Sequence, residues 1–421
     1  MFFIILRVNT VNEDSMINSL RIKFISNNLL VLIPFVLIFI GGALMNTDKN
    51  LGTLLKFSGF GFMVFYTLIN FNLNKNLTLA SIIFSPFLLY GILHSFNIKA
   101  GISDGLRYLF PIIILFYSYA LKDKFSILLK FIVFFVILNF FIQIVNYVNW
   151  IKGIEQWFYY KRDGFTTYSQ VSGILRGTGV VVFFGFYGFL NLISFLIINT
   201  YYDGKYKKIL LAMAIFGILS SLSYKTVGTF ILILFVYYYK HIIKIISALF
   251  VTLLIIFLAF KEQGILFLKS FYLRISLYIT GSKSARSESY RVMLSEIADF
   301  NLFGEGIGVF GGPASIIYNS PYYSEMNFKW YDASWLNLIT TDTFYPHPIV
   351  ELGIIGTLVY LITICVPLLR KKITTSWVFV ALIYFTLFFD SVFSFSLNNP
   401  EFLMFSLAFT YPILHYYDTK N

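Results

Sequence analysis

The chain has 421 residues, 58% of them hydrophobic and only 12% charged, with a net charge of +12 and a mean hydropathy of +0.77. A soluble domain carries about twice that charged fraction, and a β-barrel would show short alternating segments instead of long apolar runs, so the composition points to an all-α polytopic membrane protein. The basic residues are scattered through short loops beside apolar runs, a pattern that sets membrane topology, and no nucleic-acid partner is expected.

Hydropathy predicts about twelve spans, near 29–45, 51–70, 77–93, 105–121, 127–149, 178–199, 209–222, 226–239, 242–260, 348–369, 376–392 and 400–417. The N-terminal M-F-F-I-I-L-R is too short for the apolar core of a signal peptide, so the first span is expected to direct insertion. The seventh and eighth spans are short, with only Ser223, Tyr224 and Lys225 between them. With the N-terminus in the cytoplasm, inner segments hold about 16 Lys and Arg against about 5 in short outer loops, Arg107 among the latter. This favours both termini in the cytoplasm and leaves 150–177 and 261–347 outside.

The first outer loop ends in G-I-L-R-G-T-G. Its Arg176 either snorkels to the headgroup layer or grips a lipid phosphate through the guanidinium fork. The second outer segment, 261–347, is the only long non-membrane piece, and loops of that length are usually functional. Its charges nearly cancel and it is rich in Tyr, Phe and Trp, so short helices lying on the outer face are expected. One is predicted over 285–300, with Tyr290, Met293, Leu294 and Ile297 on one face.

Within that helix, Arg286 and Arg291 point about 140° apart and need not share a ligand, while Glu288 can pair with Arg291. Gly304, Gly306, Gly308, Gly311 and Gly312 then end the helix. G-E-G-I-G-V-F-G-G lacks the strand before it and the Lys-Ser/Thr after it that a phosphate loop needs, so it reads as a flexible turn.

Asp342, His347 and Glu351 lead into the tenth span. Glu351 falls one turn beyond His347 on the same face, and an acid there is costly unless it is paired or faces a cavity. The group is either a His–Glu pair fixing the start of the helix or a general base beside an outward cavity. Asp390, at the end of the eleventh span, is a further candidate for lining that cavity. His94, His241 and His415 stand alone near span ends and read as structural. Cys365 is the only cysteine, so no intrachain disulfide is possible. No motif for a metal cage is present, and no cofactor is expected.

Three of these stretches resemble the O-antigen polymerase and O-antigen ligase superfamily, integral membrane glycosyltransferases that use undecaprenyl-pyrophosphate-linked sugars. R-G-T-G at 176–179 resembles the family's R-x-x-G. Arg286, followed by Tyr290 and, from Asn301, by N-L-F-G-E-G-I-G-V-F, resembles R-x-x-x-W followed by P-L-F-G-x-G-x-G-x-F. T-D-T-F-Y-P-H-P-I-V-E-L-G-I-I-G resembles the pattern with His or Asp nine residues before E-x-G-x-x-G. The chain departs from the pattern at Tyr290, where the family has Trp, and at Asn301, where it has Pro. Ligases generally carry His at the position of Asp342, which tilts the likeness toward the polymerases.

The resemblance implies a GT-C-like helical fold and a metal-independent, inverting transfer between undecaprenyl-pyrophosphate-linked oligosaccharides in the inner membrane. It implies a chain-length regulator as a further partner. Arg176 and Arg286, supported by Arg291, would hold the departing pyrophosphate. Asp342, with His347 as second choice, would take the hydroxyl proton, and Tyr290 and Glu351 would support. A ligase acting on lipid A core and a flippase of lipid-linked oligosaccharides are the competing readings.

Overall fold

The computed structural model describes residues 29–45, 48–70, 73–159, 170–171, 173–237, 285–328, 343–369 and 373–418, and these are mostly helical. A 3-10 turn at Leu30–Leu32 leads into α1 (Ile33–Leu44). Then follow α2 (Lys49–Asn70), α3 (Lys75–Leu93), α4 (Ile98–Ala120) and α5 (Phe125–Ile151). A two-stranded antiparallel hairpin, β1 (Gln170–Val171) and β2 (Ile174–Leu175), precedes α6 (Phe184–Tyr201), α7 (Lys207–Ser220) and α8 (Tyr224–Tyr237). Beyond these come α9 (Ala285–Ala298), α10 (Pro313–Ile317), α11 (Tyr322–Glu325), α12 (Pro346–Cys365), α13 (Thr375–Phe393), α14 (Pro400–Leu407) and α15 (Thr410–Asp418).

Among the described residues, seven helices are long and apolar enough to cross a bilayer: α2 to α6, α12 with its 3-10 extension to Leu368, and α13. Helix starts follow local chemistry. Asn74, Asn97, Thr374 and Asn399 each accept a backbone N–H of the first turn through the side chain. α6 is the central helix, with 83% of its span enclosed by protein. α1 and α2 form a close hairpin at Gly41 and Gly52, where a Cβ on Gly52 would lie 2.7 Å from the Gly41 carbonyl oxygen. Small residues of this kind let membrane helices approach.

The abundant phenylalanine fills the interior. Phe39 meets Phe135 at 4.5 Å and Phe405 at 4.8 Å between ring centroids, and Phe186 meets Phe402 at 4.9 Å. Such tilted and edge-to-face pairs add to apolar packing and tie α1, α5, α6 and α14 together.

Several expectations shift. α4 begins at Ile98, not 105, so Arg107, counted with the outer loops by charge, lies well inside a helix. α7 and α8 have 14 residues each, about 21 Å of helix, less than the roughly 30 Å hydrocarbon core. They turn at Ser221–Ser223. The segment expected as one final span is broken at Ala408–Phe409. Pro412 accounts for the break, because its ring excludes the carbonyl four residues back, that of Ala408. The span expected at 242–260 lies outside the described residues.

The helix expected over 285–300 is present as α9, but its buried face is Glu288, Ser289, Val292 and Glu296. Leu294 and Ile297, on the apolar face expected for this helix, are exposed.

Candidate functional site

The turn between α7 and α8 is held from below by Arg176. Its Nε donates to the Ser221 carbonyl at 3.2 Å and its Nη2 to the Leu222 carbonyl at 3.0 Å. Its guanidinium lies 3.1 Å from the Phe184 ring centroid, and its own carbonyl accepts from Tyr159. The Gly177 N–H donates to Ser220 at 2.7 Å. Arg176 is therefore buried and caps the open carbonyls at the end of α7.

Three residues beyond Leu222, Lys225 reaches Asp390 near the end of α13, with Nζ 2.7 Å from Oδ1. Ser394 and Ser396 also donate to that carboxylate. Asp390 is thus a buried partner in an ion pair.

The last turn of α13 forms one wall of a groove. α9 forms the other, giving a cavity of about 440 Å³ lined by Arg286, Ser287, Tyr290, Arg291, Leu294, Val392 and Phe393. The positions on α9 run i, i+1, i+4, i+5 and i+8, a single stripe on a helix. Both arginines therefore reach one groove despite their five-residue spacing. Arg291 is half exposed and pairs with Glu288 at 3.0 Å, and its Nη2 donates to the Met326 carbonyl at 2.8 Å. The Tyr290 hydroxyl donates to the Val392 carbonyl at 2.7 Å. Burial pushes its phenol up to about 12, against the lowering effect of Arg286, so Tyr290 stays a neutral donor.

The glycine-rich stretch after α9 is an ordered clasp on α12, not a flexible turn. α12 is interrupted at Gly353, whose φ is +70°. Around that break the Val350 and Glu351 carbonyls accept from Glu305 N (2.8 Å) and Gly306 N (3.2 Å). The Ile354 and Ile355 amides donate to the Asn301 and Leu302 carbonyls at 3.0 and 3.1 Å. Irregular backbone at membrane depth survives only where protein satisfies it, and residues 301–306 do so here.

Glu351 sits under this clasp. Its Oε1 accepts from Gly308 N at 2.8 Å, its Oε2 from the Tyr108 hydroxyl at 2.6 Å. It is not paired with His347, as one expectation had it. The His347 ring is 1% exposed, stands 4.6 Å from the Phe395 ring and presses on Gly311, where a Cβ would fall 2.1 Å from Nε2. Asp104 faces Gly312 in the same way and pairs with Arg107, Nε to Oδ1 at 3.2 Å. Asp104 and Tyr108 stand in no sequence motif, and Arg107 reads from the sequence only as a loop charge. Their one-turn spacing on an apolar helix was the available signal.

Asp342 and His241 lie outside the described residues. His94 stacks on Tyr90 with 3.8 Å between centroids, and His415 meets Asp123 at 3.1 Å, so both act within their own surroundings. Among the described residues no group of three or more His, Cys, Asp or Glu is placed to hold a metal. No protein-family model and no curated protein matches this sequence.

Proposed function

We propose that this protein is a polysaccharide polymerase that joins undecaprenyl-pyrophosphate-linked repeat units. The single observation that carries the reading is the α9–α13 groove, which combines two arginines and a phenol with an apolar wall of Leu294, Val392 and Phe393. That is the chemistry a lipid diphosphate would need. It coincides with the Arg286 and Tyr290 positions at which the sequence resembles the O-antigen polymerases. The fuller topology belongs to the same proposal: about twelve spans in the bacterial inner membrane, both termini cytoplasmic, and 150–177 and 261–347 outside.

In this reading the acceptor's hydroxyl attacks the donor's anomeric carbon and the bond to the diphosphate oxygen breaks with inversion. Arg286 and Arg291 neutralise the charge that develops on the leaving diphosphate. The hydroxyl proton passes to Asp342, our choice of base because His347 is enclosed by Phe310, Phe395 and Gly311. Arg176 contributes by fixing the α7–α8 turn, and a direct contact with the diphosphate remains its proposed second role.

The test is polymerisation by purified protein given lipid-linked repeat units. The expected result is a ladder of products that Arg286→Ala abolishes and Arg286→Lys restores in part, since lysine lacks the planar fork. Ladders of wild-type yield from a folded Arg286→Ala protein would overturn the assignment. Transfer to lipid A core with no ladder would move the protein to the ligases.

A further inference from the structure

A second cavity, of about 650 Å³, lies between α8 and α13 and is lined by Leu232, Ile233, Phe235 and Val236 on one side and Val378, Ala381, Leu382 and Phe385 on the other. Its lining is entirely apolar. Positions 378, 381, 382 and 385 make one stripe along α13, and the same stripe continues to Val392 at the arginine groove. The two cavities are joined by a ladder of rings: Phe385 meets Phe389 at 5.8 Å and Phe389 meets Phe393 at 5.5 Å between centroids. From Val378 to Val392 the track runs about 21 Å.

One end of this track is cationic and the remainder is apolar. A long isoprenoid with a phosphate head has the same polarity in the same order. We infer that the α13 track is the seat of the donor's polyprenyl tail, the chain leaving the arginine groove along Phe393, Phe389 and Phe385 into the α8–α13 furrow. The inference rests on the proposed function for the identity of the head. It adds that the protein reads the length of the tail, because a short prenyl chain ends before the far part of the furrow at Ala381 and Val378.

The experiment measures retention of undecaprenyl phosphate and of farnesyl phosphate by the detergent-purified protein, by native mass spectrometry. Ala381→Trp fills the furrow from α13, and Leu232→Trp fills it from α8. Both variants are expected to weaken undecaprenyl phosphate by about tenfold or more and to leave farnesyl phosphate unchanged. Arg286→Ala is expected to weaken both ligands. Undecaprenyl phosphate retained equally by wild type and both tryptophan variants would mean that bulk lipid fills the furrow, and the inference fails. Equal loss of both ligands in the tryptophan variants would also overturn it, since the damage would then lie at the head groove. Chain-length selectivity in a protein that makes no polymer would leave the track standing and remove the polymerase reading.

Discussion

Gly304 and Gly353 meet backbone to backbone: a Cβ on either would lie 2.4 Å from the other's amide nitrogen. Both have positive φ, +80° and +70°. Gly304→Ala or Gly353→Ala therefore adds a steric conflict to a backbone region that costs about 1–3 kcal/mol for residues with a side chain. Each is expected to lower the thermal unfolding midpoint in detergent. Gly61→Ala, at a helical glycine with nothing within 4 Å of the added carbon, is expected to leave the midpoint unchanged or raise it.

Tyr108 and Glu351, far apart in sequence, share a buried hydrogen bond of 2.6 Å. Removing one partner of such a pair leaves a buried polar group unsatisfied, at about 1–3 kcal/mol. Tyr108→Phe and Glu351→Leu, which removes the acceptor, are each expected to destabilise. The double variant is expected to cost less than the sum, as residues in contact do not act independently. A strictly additive double-variant cycle in chemical unfolding would show that the bond contributes nothing.

Lys225 and Asp390 form a largely enclosed ion pair, with 15% and 4% of their side chains exposed. Breaking such a pair from one side typically costs about 3–5 kcal/mol, whereas replacing both partners with apolar groups is far milder. Lys225→Met should unfold at lower temperature than Lys225→Met/Asp390→Leu. The reverse order would mean that Asp390 is held by Ser394 and Ser396 alone.

Glu305 lies beside Glu296 and Glu325, and desolvation, with Glu296 next, raises its carboxyl above 4.5. The native state therefore favours the protonated form. The stability this adds is full below about pH 4.5 and is lost as pH rises through the raised value. Glu305→Gln keeps an acceptor for the Asn301 side chain, now at 2.8 Å from Oε1. The variant is expected to flatten that decline in unfolding midpoints measured from pH 4 upward. Parallel curves for variant and wild type would assign the decline to other groups.

The spans were readable because a bilayer demands long apolar runs, and α2, α3, α5 and α13 fall within two residues of the hydropathy expectation. α4 was cut short because Asp104 looks like a loop residue until Arg107 is seen to neutralise it inside the helix. The buried face of α9 is hidden from the sequence for a related reason. Glu296 is buried there because Asn301 and Tyr322 donate to it, and no pattern of apolar residues can reveal a satisfied acid. The glycines from 304 to 312 were visible as chain breaks, but their partner on α12 was not. Backbone-to-backbone pairing leaves its trace only in which positions have no side chain.

The interruption of α12 also bears on biogenesis. The residues that mend it, 301–306, precede it in the chain, so during synthesis the splint is made before the fracture. The segment that covers the bare amides and carbonyls of this helix has thus already been synthesised when the helix itself emerges.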